Sequence, residues 1–217
     1  MRPEKALDLV LKHTQNYRFY QDIPDDLIGQ FASLWKRFDW TEEQVANYAQ
    51  LLTDQKKRNP SDRTLWNVGL VNRQGLLQAA ATAELFSLQE MNREQVHFVE
   101  LTEWASNVTG QGLMQAAAAH LIAQILNDKG DQNLMIYAET NTANGAPKVG
   151  RYIGLDFLSK HPHNESNVGV LFAHVPVNDG RREIKNAYRD FSWMGLSQEA
   201  RRKYYSERDV QQIVSIT

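Results

Sequence analysis

Apolar residues first recur at helical intervals in Leu27, Ile28, Phe31, Leu34, Trp35 and Phe38, led in by Asp25 and Asp26. Thr41, with Gln44 three residues on, has the spacing of a capping box, and Val45, Tyr48, Ala49, Leu51 and Leu52 extend a second helix from it. The amino-terminal quarter therefore reads as helical. Polar residues from Asp54 to Arg63, with Pro60 among them, predict a loop. The period then shortens. Leu65–Val71 and Leu76–Leu88 are expected strands joined by the turn Asn72-Arg73-Gln74-Gly75, although alanines at 79, 80, 81 and 83 favour helix over strand. A third strand is expected over Gln95–Ser106, with Val96, Phe98, Val99 and Leu101.

Gly110-Gln111-Gly112 then opens the strongest helix, whose buried side is Leu113, Met114, Ala117, Ala118, Leu121, Ile122 and Ile125. Asp128 to Asp131, with Gly130, closes it. Strands are expected at Leu134–Glu139 and Val168–Val175. Asn141–Ile153, with Gly145, Pro147 and Gly150, has no defined period and reads as an irregular or helical piece. A short helix follows Ser197, and a last strand is expected at Gln211–Ile216. This order predicts a mixed α+β layout with a strand–helix–strand crossover at its centre. No repeat or domain boundary interrupts it, so 217 residues read as one domain.

Composition narrows the function classes. The chain is 42% hydrophobic and 23% charged, the balance of a globular protein. A net charge of −2 makes no electrostatic case for broad binding to nucleic acid or anionic membrane. The absence of cysteine excludes disulfides, thiol nucleophiles and thiolate-bound zinc. Met1 to Lys12 lacks a signal-peptide pattern, and no apolar run approaches the roughly 20 residues that span a bilayer. A soluble cytoplasmic protein is the expectation.

The informative stretch is Val99-Glu100-Leu101-Thr102-Glu103-Trp104-Ala105-Ser106-Asn107-Val108-Thr109-Gly110-Gln111-Gly112-Leu113, a strand running through a glycine turn into a helix. A helix start carries unpaired N–H groups and partial positive charge, and glycine lets backbone approach a ligand, which suits a pyrophosphate. Gly-x-Gly alone is weak evidence. A dinucleotide fold would place three spaced glycines near the chain start, and a Walker loop would need Gly-Lys-Ser/Thr.

Strand, Asn107-x-x-Gly110-x-Gly112, long helix, strand resembles the acyl-CoA signature of the GNAT N-acetyltransferases, over roughly Leu65 to Val175. That family usually has Gln or Arg where this chain has Asn107. The resemblance implies a central mixed, mostly antiparallel twisted sheet flanked by helices, with splayed strands forming an acyl-CoA cleft. It implies an enzyme that moves an acetyl group from acetyl-CoA, its co-substrate, to the amine of a small metabolite such as an amino acid or polyamine, without a metal. The implied cofactor-binding residues are Ala105, Ser106, Asn107, Val108, Thr109, Gly110, Gln111, Gly112, Leu113 and Asn144, with the preceding strand pairing to the pantetheine arm. It divides the chain into a helical part (1–60), a cofactor-binding core (65–175) and a carboxy-terminal part (176–217). Glu100-Leu101-Thr102-Glu103-Trp104-Ala105-Ser106 is similar to the Glu-Met-Thr-Asp-Phe-Ala-Thr segment of the β-lysine N-acetyltransferase branch. Gly180-x-x-Glu183-x-x-Asn186-x-Tyr188 matches another segment of that branch in spacing, and Glu84 lies where the branch also carries a glutamate.

An alkyl amine ionises near pH 10 and must lose a proton before it attacks a thioester, so a positioned base helps. Glu84, Glu100 and Glu103 are the candidates; strand alternation puts Glu100 and Thr102 on one face and Glu103 on the other. Glu100 is favoured, as base or amine-orienting group. Many family members supply a tyrosine acid after the fifth strand. Asn144, Ala146, Gly154 and Leu155 are similar to that segment, but Gly150 stands where the tyrosine would be, with Tyr152 two residues on and Tyr137 on the strand. Tyr152, Tyr137 or no residue at all could serve. Two further readings stay open: an acyltransferase acting on a protein or tRNA-linked amine, and a non-catalytic acyl-CoA-binding module. A homodimer also stays open.

Other groups read as ordinary surface or core. Pro162 within His161-Pro162-His163 prevents helical ligand spacing, so these histidines and His174 are expected in a surface loop. His97 reads as half-buried packing. Arg181, Arg182, Arg201, Arg202 and Lys203 alternate with Glu183, Glu199, Glu207 and Asp209 as solvated faces. The tryptophans read as core or pocket walls, with Trp104 nearest the cofactor.

Overall fold

Among the described residues, seven strands form one sheet in the order β1-β2-β3-β4-β5-β7-β6. They are β1 (Tyr17–Gln21), β2 (Leu65–Asn72), β3 (Leu77–Phe86), β4 (His97–Ser106), β5 (Leu134–Asn141), β6 (Asp156–Phe157) and β7 (Phe191–Gly195). The helices are α1 (Ala6–Leu11), α2 (Ile28–Trp35), α3 (Glu42–Gln55), α4 (Leu113–Lys129), α5 (Ala146–Tyr152), α6 (Gln198–Tyr204) and α7 (Glu207–Val214). The computed structural model describes residues 5–35, 41–55, 57–59, 62–86, 97–130, 134–141, 146–157 and 191–217. The expected strand at Val168–Val175 and the histidines at 161, 163 and 174 lie outside them. Among the described residues no helix is long and apolar enough to cross a membrane.

Every strand pair is antiparallel except β4 with β5, which the α4 crossover joins in parallel. The mixed, mostly antiparallel sheet flanked by helices is the expected fold class. One face of the sheet is covered by α4, on which α1 and α7 pack. On the other, Ile23, Leu27, Phe31, Leu34 and Leu52 cover Leu65, Val71, Leu77, Ala80 and Ala105.

The β3 alanines explain themselves in this setting. Ala79, Ala80, Ala81 and Ala83 are all buried, and Ala79, Ala81 and Ala83 lie in one core with Ala116, Ala117, Ala118, Ala119 and Ala123 of α4. Small residues on both surfaces let the helix approach the sheet closely, and burial overrides alanine's helical preference. The capping box is formed as expected: Gln44 N donates to Thr41 Oγ1 at 3.2 Å, and Thr41 N donates to Gln44 Oε1 at 2.8 Å.

Two expectations are corrected. The amino-terminal quarter is not wholly helical, because β1 adds an edge strand to β2. Its Tyr-Arg-Phe-Tyr-Gln sequence is rich in β-forming aromatics, and Phe19, 1% exposed, points into the α4 core. Gln211–Ile216 is not a strand; residues through Val214 belong to α7. Val210 and Ile213 are buried three residues apart, and Ser206 Oγ caps the helix by accepting from Asp209 N at 3.2 Å. The Asn141–Ile153 segment, open between irregular and helical in the sequence, contains a helix, α5.

His120 fastens the chain end to the middle of α4. It is fully buried, stacks on Phe19 with ring centroids 5.2 Å apart, and donates from Nε2 to Ile216 O at 3.0 Å. Burial holds its pKa below the usual 6.5, outweighing the raising effect of the Ile216 carbonyl. A histidine kept neutral in the fold is protonated more readily when unfolded, so its contribution to stability is lost as pH falls below about 6.5. His120→Gln is therefore expected to lose less stability between pH 7 and pH 5 than the parent chain, measured by urea melts at each pH. Equal losses would refute this account.

Candidate functional site

Strand β4 ends in the glycine turn that starts α4. Gly110 and Gly112 both have φ of 76°, a left-handed conformation that glycine adopts without strain. Gly112 is the N-cap of α4 and offers no side-chain acceptor; the helical ladder begins with Ala116 N donating to Gly112 O at 3.0 Å. The first N–H groups of a 17-residue helix thus face the turn uncapped by a side chain. Ser106 Oγ accepts from Val108 N at 3.1 Å, closing the turn on itself. Asn107 is turned back to β3, its N donating to Gln78 O at 2.8 Å and its Nδ2 to Leu77 O at 3.3 Å.

A cleft of about 410 Å³ opens over this turn. Ser106, Val108, Thr109, Gly110, Gln111, Gly112 and Leu113 all line it, as does Tyr152 of α5. Ala105 and Asn107 do not: Ala105 is buried under the opposite face of the sheet, and Asn107 acts as an anchor of the turn. Asn144 lies outside the described residues. The sequence reading missed the wall that α1 brings. Leu9, Lys12 and His13 also line the cleft, and His13, 7% exposed, places Nε2 only 3.6 Å from where a Cβ on Gly112 would sit. Tyr17 donates from its hydroxyl to Gln111 Oε1 at 3.1 Å, bracing the turn against the start of β1. Nothing in the mixed pattern of residues 1–12 signalled this role.

The strands beside the turn part. β4 and β5 are in register only over His97–Glu100 and Leu134–Tyr137. Among the described residues, β4 beyond that point continues to Ser106 paired with β3, and β5 continues to Asn141 paired with β7. A bulge between Thr82 and Ala83 breaks the β3–β4 register here, leaving Thr102 as the extra residue, its Oγ1 2.8 Å from Thr82 Oγ1. Strict alternation therefore does not run from Glu100 to residue 103: position 100 is opposite Glu84, and position 103 is opposite Thr82.

Glu84, Glu100 and Tyr137 occupy one row across β3, β4 and β5 at the point of parting. Val99, Leu101, Ile136 and Ala138 belong to the α4 core, so alternation puts Glu100 and Tyr137 on the opposite face. Tyr137, 4% exposed, donates from its hydroxyl to Glu100 Oε2 at 3.2 Å. Partial burial holds the Glu84 carboxyl above its usual pKa although the residue keeps an exposed surface. At Gly150, an added Cβ would lie 2.5 Å from Met194 Sδ, so a side chain there must displace a buried methionine.

A NatC complex bound to Gag peptide and CoA matches with a TM-score of 0.53 at 11% identity, over 83% of this chain and 98% of that one. Spermidine N-acetyltransferase of Vibrio cholerae matches at 0.50 and 13%, over 89% and 99%. A protein of Bordetella pertussis assigned to the GNAT acetyltransferase family matches at 0.50 and 13%, over 83% and 96%. The chain has the GNAT acetyltransferase fold. No protein-family model matches the sequence, and no curated protein does.

In GNAT-fold terms the parting of β4 from β5 is the splay expected from the sequence, and the cleft lies where its glycine turn meets the central helix. The residues present fit a phosphate-bearing thioester: left-handed glycines, uncapped amides, a lysine on the rim and an open strand edge. Among the described residues no three His, Asp or Glu side chains cluster as metal ligands would. Gly110→Ala meets no atom within 4 Å, so it isolates the cost of the left-handed backbone. It is expected to destabilise the fold by about 1 kcal/mol in chemical denaturation. An unchanged midpoint would show that the turn relaxes freely.

Proposed function

We propose that this chain is an acyl-CoA-dependent N-acetyltransferase, a single unit over its length, that moves an acetyl group from acetyl-CoA to the amine of a small metabolite. The observation that carries this reading is the four-residue β4–β5 pairing that opens beside an uncapped glycine turn. Acetyl-CoA, as co-substrate, would supply an activated thioester. The chain's own residues would do the rest. Amides of Val108 to Leu113 hold the diphosphate, with Lys12 adding positive charge at the rim. The freed edge of β4 offers main-chain donors to the pantetheine arm and to charge developing on the carbonyl oxygen. Both substrates are held together, so attack is direct.

Glu100 is the base or orienting group for the amine, directly or through water, with Glu84 opposite it as the second carboxylate. Tyr152 is the residue of the cleft that can stand beside the leaving thiol. A small-amine acceptor is supported by the likeness to spermidine N-acetyltransferase, and a relation to the β-lysine branch by the Glu100–Ser106 segment and Glu84.

Thiol release from acetyl-CoA, followed over a panel of amino acids, diamines and polyamines, tests this reading. At least one amine is expected to accelerate release, and Glu100→Gln is expected to lower that rate by on the order of 100-fold. Tight acetyl-CoA binding with no amine-dependent release would replace the enzyme with a binding module.

A further inference from the structure

The glycine turn before α4 is anchored at both ends and tethered once between them. We infer that Tyr17 is a positioning residue for this turn: through Gln111 it holds the Gly110–Gly112 backbone in the arrangement that a diphosphate needs, which makes the amino-terminal segment part of the cofactor site. This inference rests on the acetyltransfer reading, which puts the diphosphate at Val108 to Leu113.

At its start the turn is fixed by Asn107, tied to β3, and by Ser106 Oγ, which accepts from Val108 N at 3.1 Å. At its end Gly112 O accepts from Ala116 N at 3.0 Å, the first rung of α4. Between these anchors, Thr109, Gly110 and Gln111 have one hydrogen bond among the described residues, from the Tyr17 hydroxyl to Gln111 Oε1 at 3.1 Å. Gln111 stands between two glycines, the residue type with the most backbone freedom to lose. Ordering such a stretch around a ligand weakens binding unless it is ordered beforehand. Within Gly110–Gly112 only Gln111 has a side chain, so it is the one point by which another element can grip the turn.

Tyr17 is itself held firmly. Its N donates to His13 O at 3.0 Å, tying the start of β1 to the exit of α1, and it is in register with Asn72 of β2. Its ring meets the buried His13 ring edge-on, with centroids 6.1 Å apart at 69°. Two residues on, Phe19 is fixed in the α4 core. The hydroxyl is therefore carried on two rotatable bonds from a fixed backbone. His13, Gln111 and Gly112 line the same cleft, so the brace runs from its α1 wall to its glycine floor. Tyr17 does not line the cleft, which makes its role one of positioning rather than contact with the cofactor.

The test uses Tyr17→Phe, which removes only the hydroxyl, with Gln111→Ala and the double variant, in the full chain. Affinity for CoA is measured by calorimetry, and kcat with the amine that best drives thiol release from saturating acetyl-CoA. Each single change should raise Kd for CoA by on the order of fivefold, the range of one lost hydrogen bond, while kcat stays within about twofold. The double variant should bind no more weakly than either single one, because both remove the same tether. A Kd equal to the parent's in either single variant would overturn the inference, as would costs that multiply in the double variant. A fall in kcat at unchanged Kd would also overturn it, moving Tyr17 from cofactor binding to the chemical step. Thermal melts separate these outcomes from unfolding, and Gln111→Ala changes an exposed side chain, so it reads the tether even where Tyr17→Phe loosens β1. A parent chain without affinity for CoA would instead overturn the acetyltransfer reading, and the inference with it.

Discussion

A strand in the middle of a sheet is ordinarily hydrogen-bonded on both sides, because its N–H and C=O groups alternate between two edges. β4 and β5 meet that demand together for only four residues and then part. Each keeps its outer partner, β3 or β7, and each loses the other. The resulting opening lies inside the sheet rather than at its rim, so it is framed by structure on both sides. The bulge opposite Thr102 accompanies the divergence, since an extra residue bends and twists the strand that carries it. The glycine turn, the start of α4 and the placement of Tyr152 on α5 all take their position from where these two strands separate.

The opening also joins two chemically different faces. On the α4 side lie the turn, Lys12, His13 and Tyr152, a setting of amide donors and positive charge suited to phosphate. On the other side lie Glu84, Glu100 and Tyr137, a setting that favours a cation. A reaction between a diphosphate-bearing thioester and an amine needs these two environments close together yet separate, because carboxylates beside the phosphates would repel them. A sheet that opens between its central strands meets this need with backbone alone.

Much of this architecture was legible in the sequence because it is local. The capping box at Thr41 and Gln44, the hairpin turn at Asn72–Gly75 and the glycine start of α4 are written in adjacent residues. What escaped depends on contacts distant in sequence. Phe19 is a strand residue because it packs beneath His120, a hundred positions away. The β3 alanines belong in a strand because α4 presses on them. Val210 and Ile213 look like strand residues until the α4 core gives their helical spacing a purpose. At the site, the glycine turn and the two glutamates could be named in advance. The α1 wall could not, since six residues of helix carry no motif and acquire meaning only by packing on α4. The bulge too was invisible, and it is what upsets simple alternation between Glu100 and position 103.

Under the proposed acetyltransfer, the glycine at 150 bears on where the catalytic effort would fall. Met194 fills the space that a side chain at 150 would need, so the position itself provides no proton donor. The chemistry tolerates this. A thiol ionises near 8.5 and an alkyl ammonium near 10.4, so the thiolate is the easier group to expel and the ammonium the harder one to deprotonate. A site with one residue to spend gains more by helping the amine than by helping the thiol. In the proposed acetyltransfer, the row of Glu84, Glu100 and Tyr137 at the apex of the opening would stand on the side of that harder step.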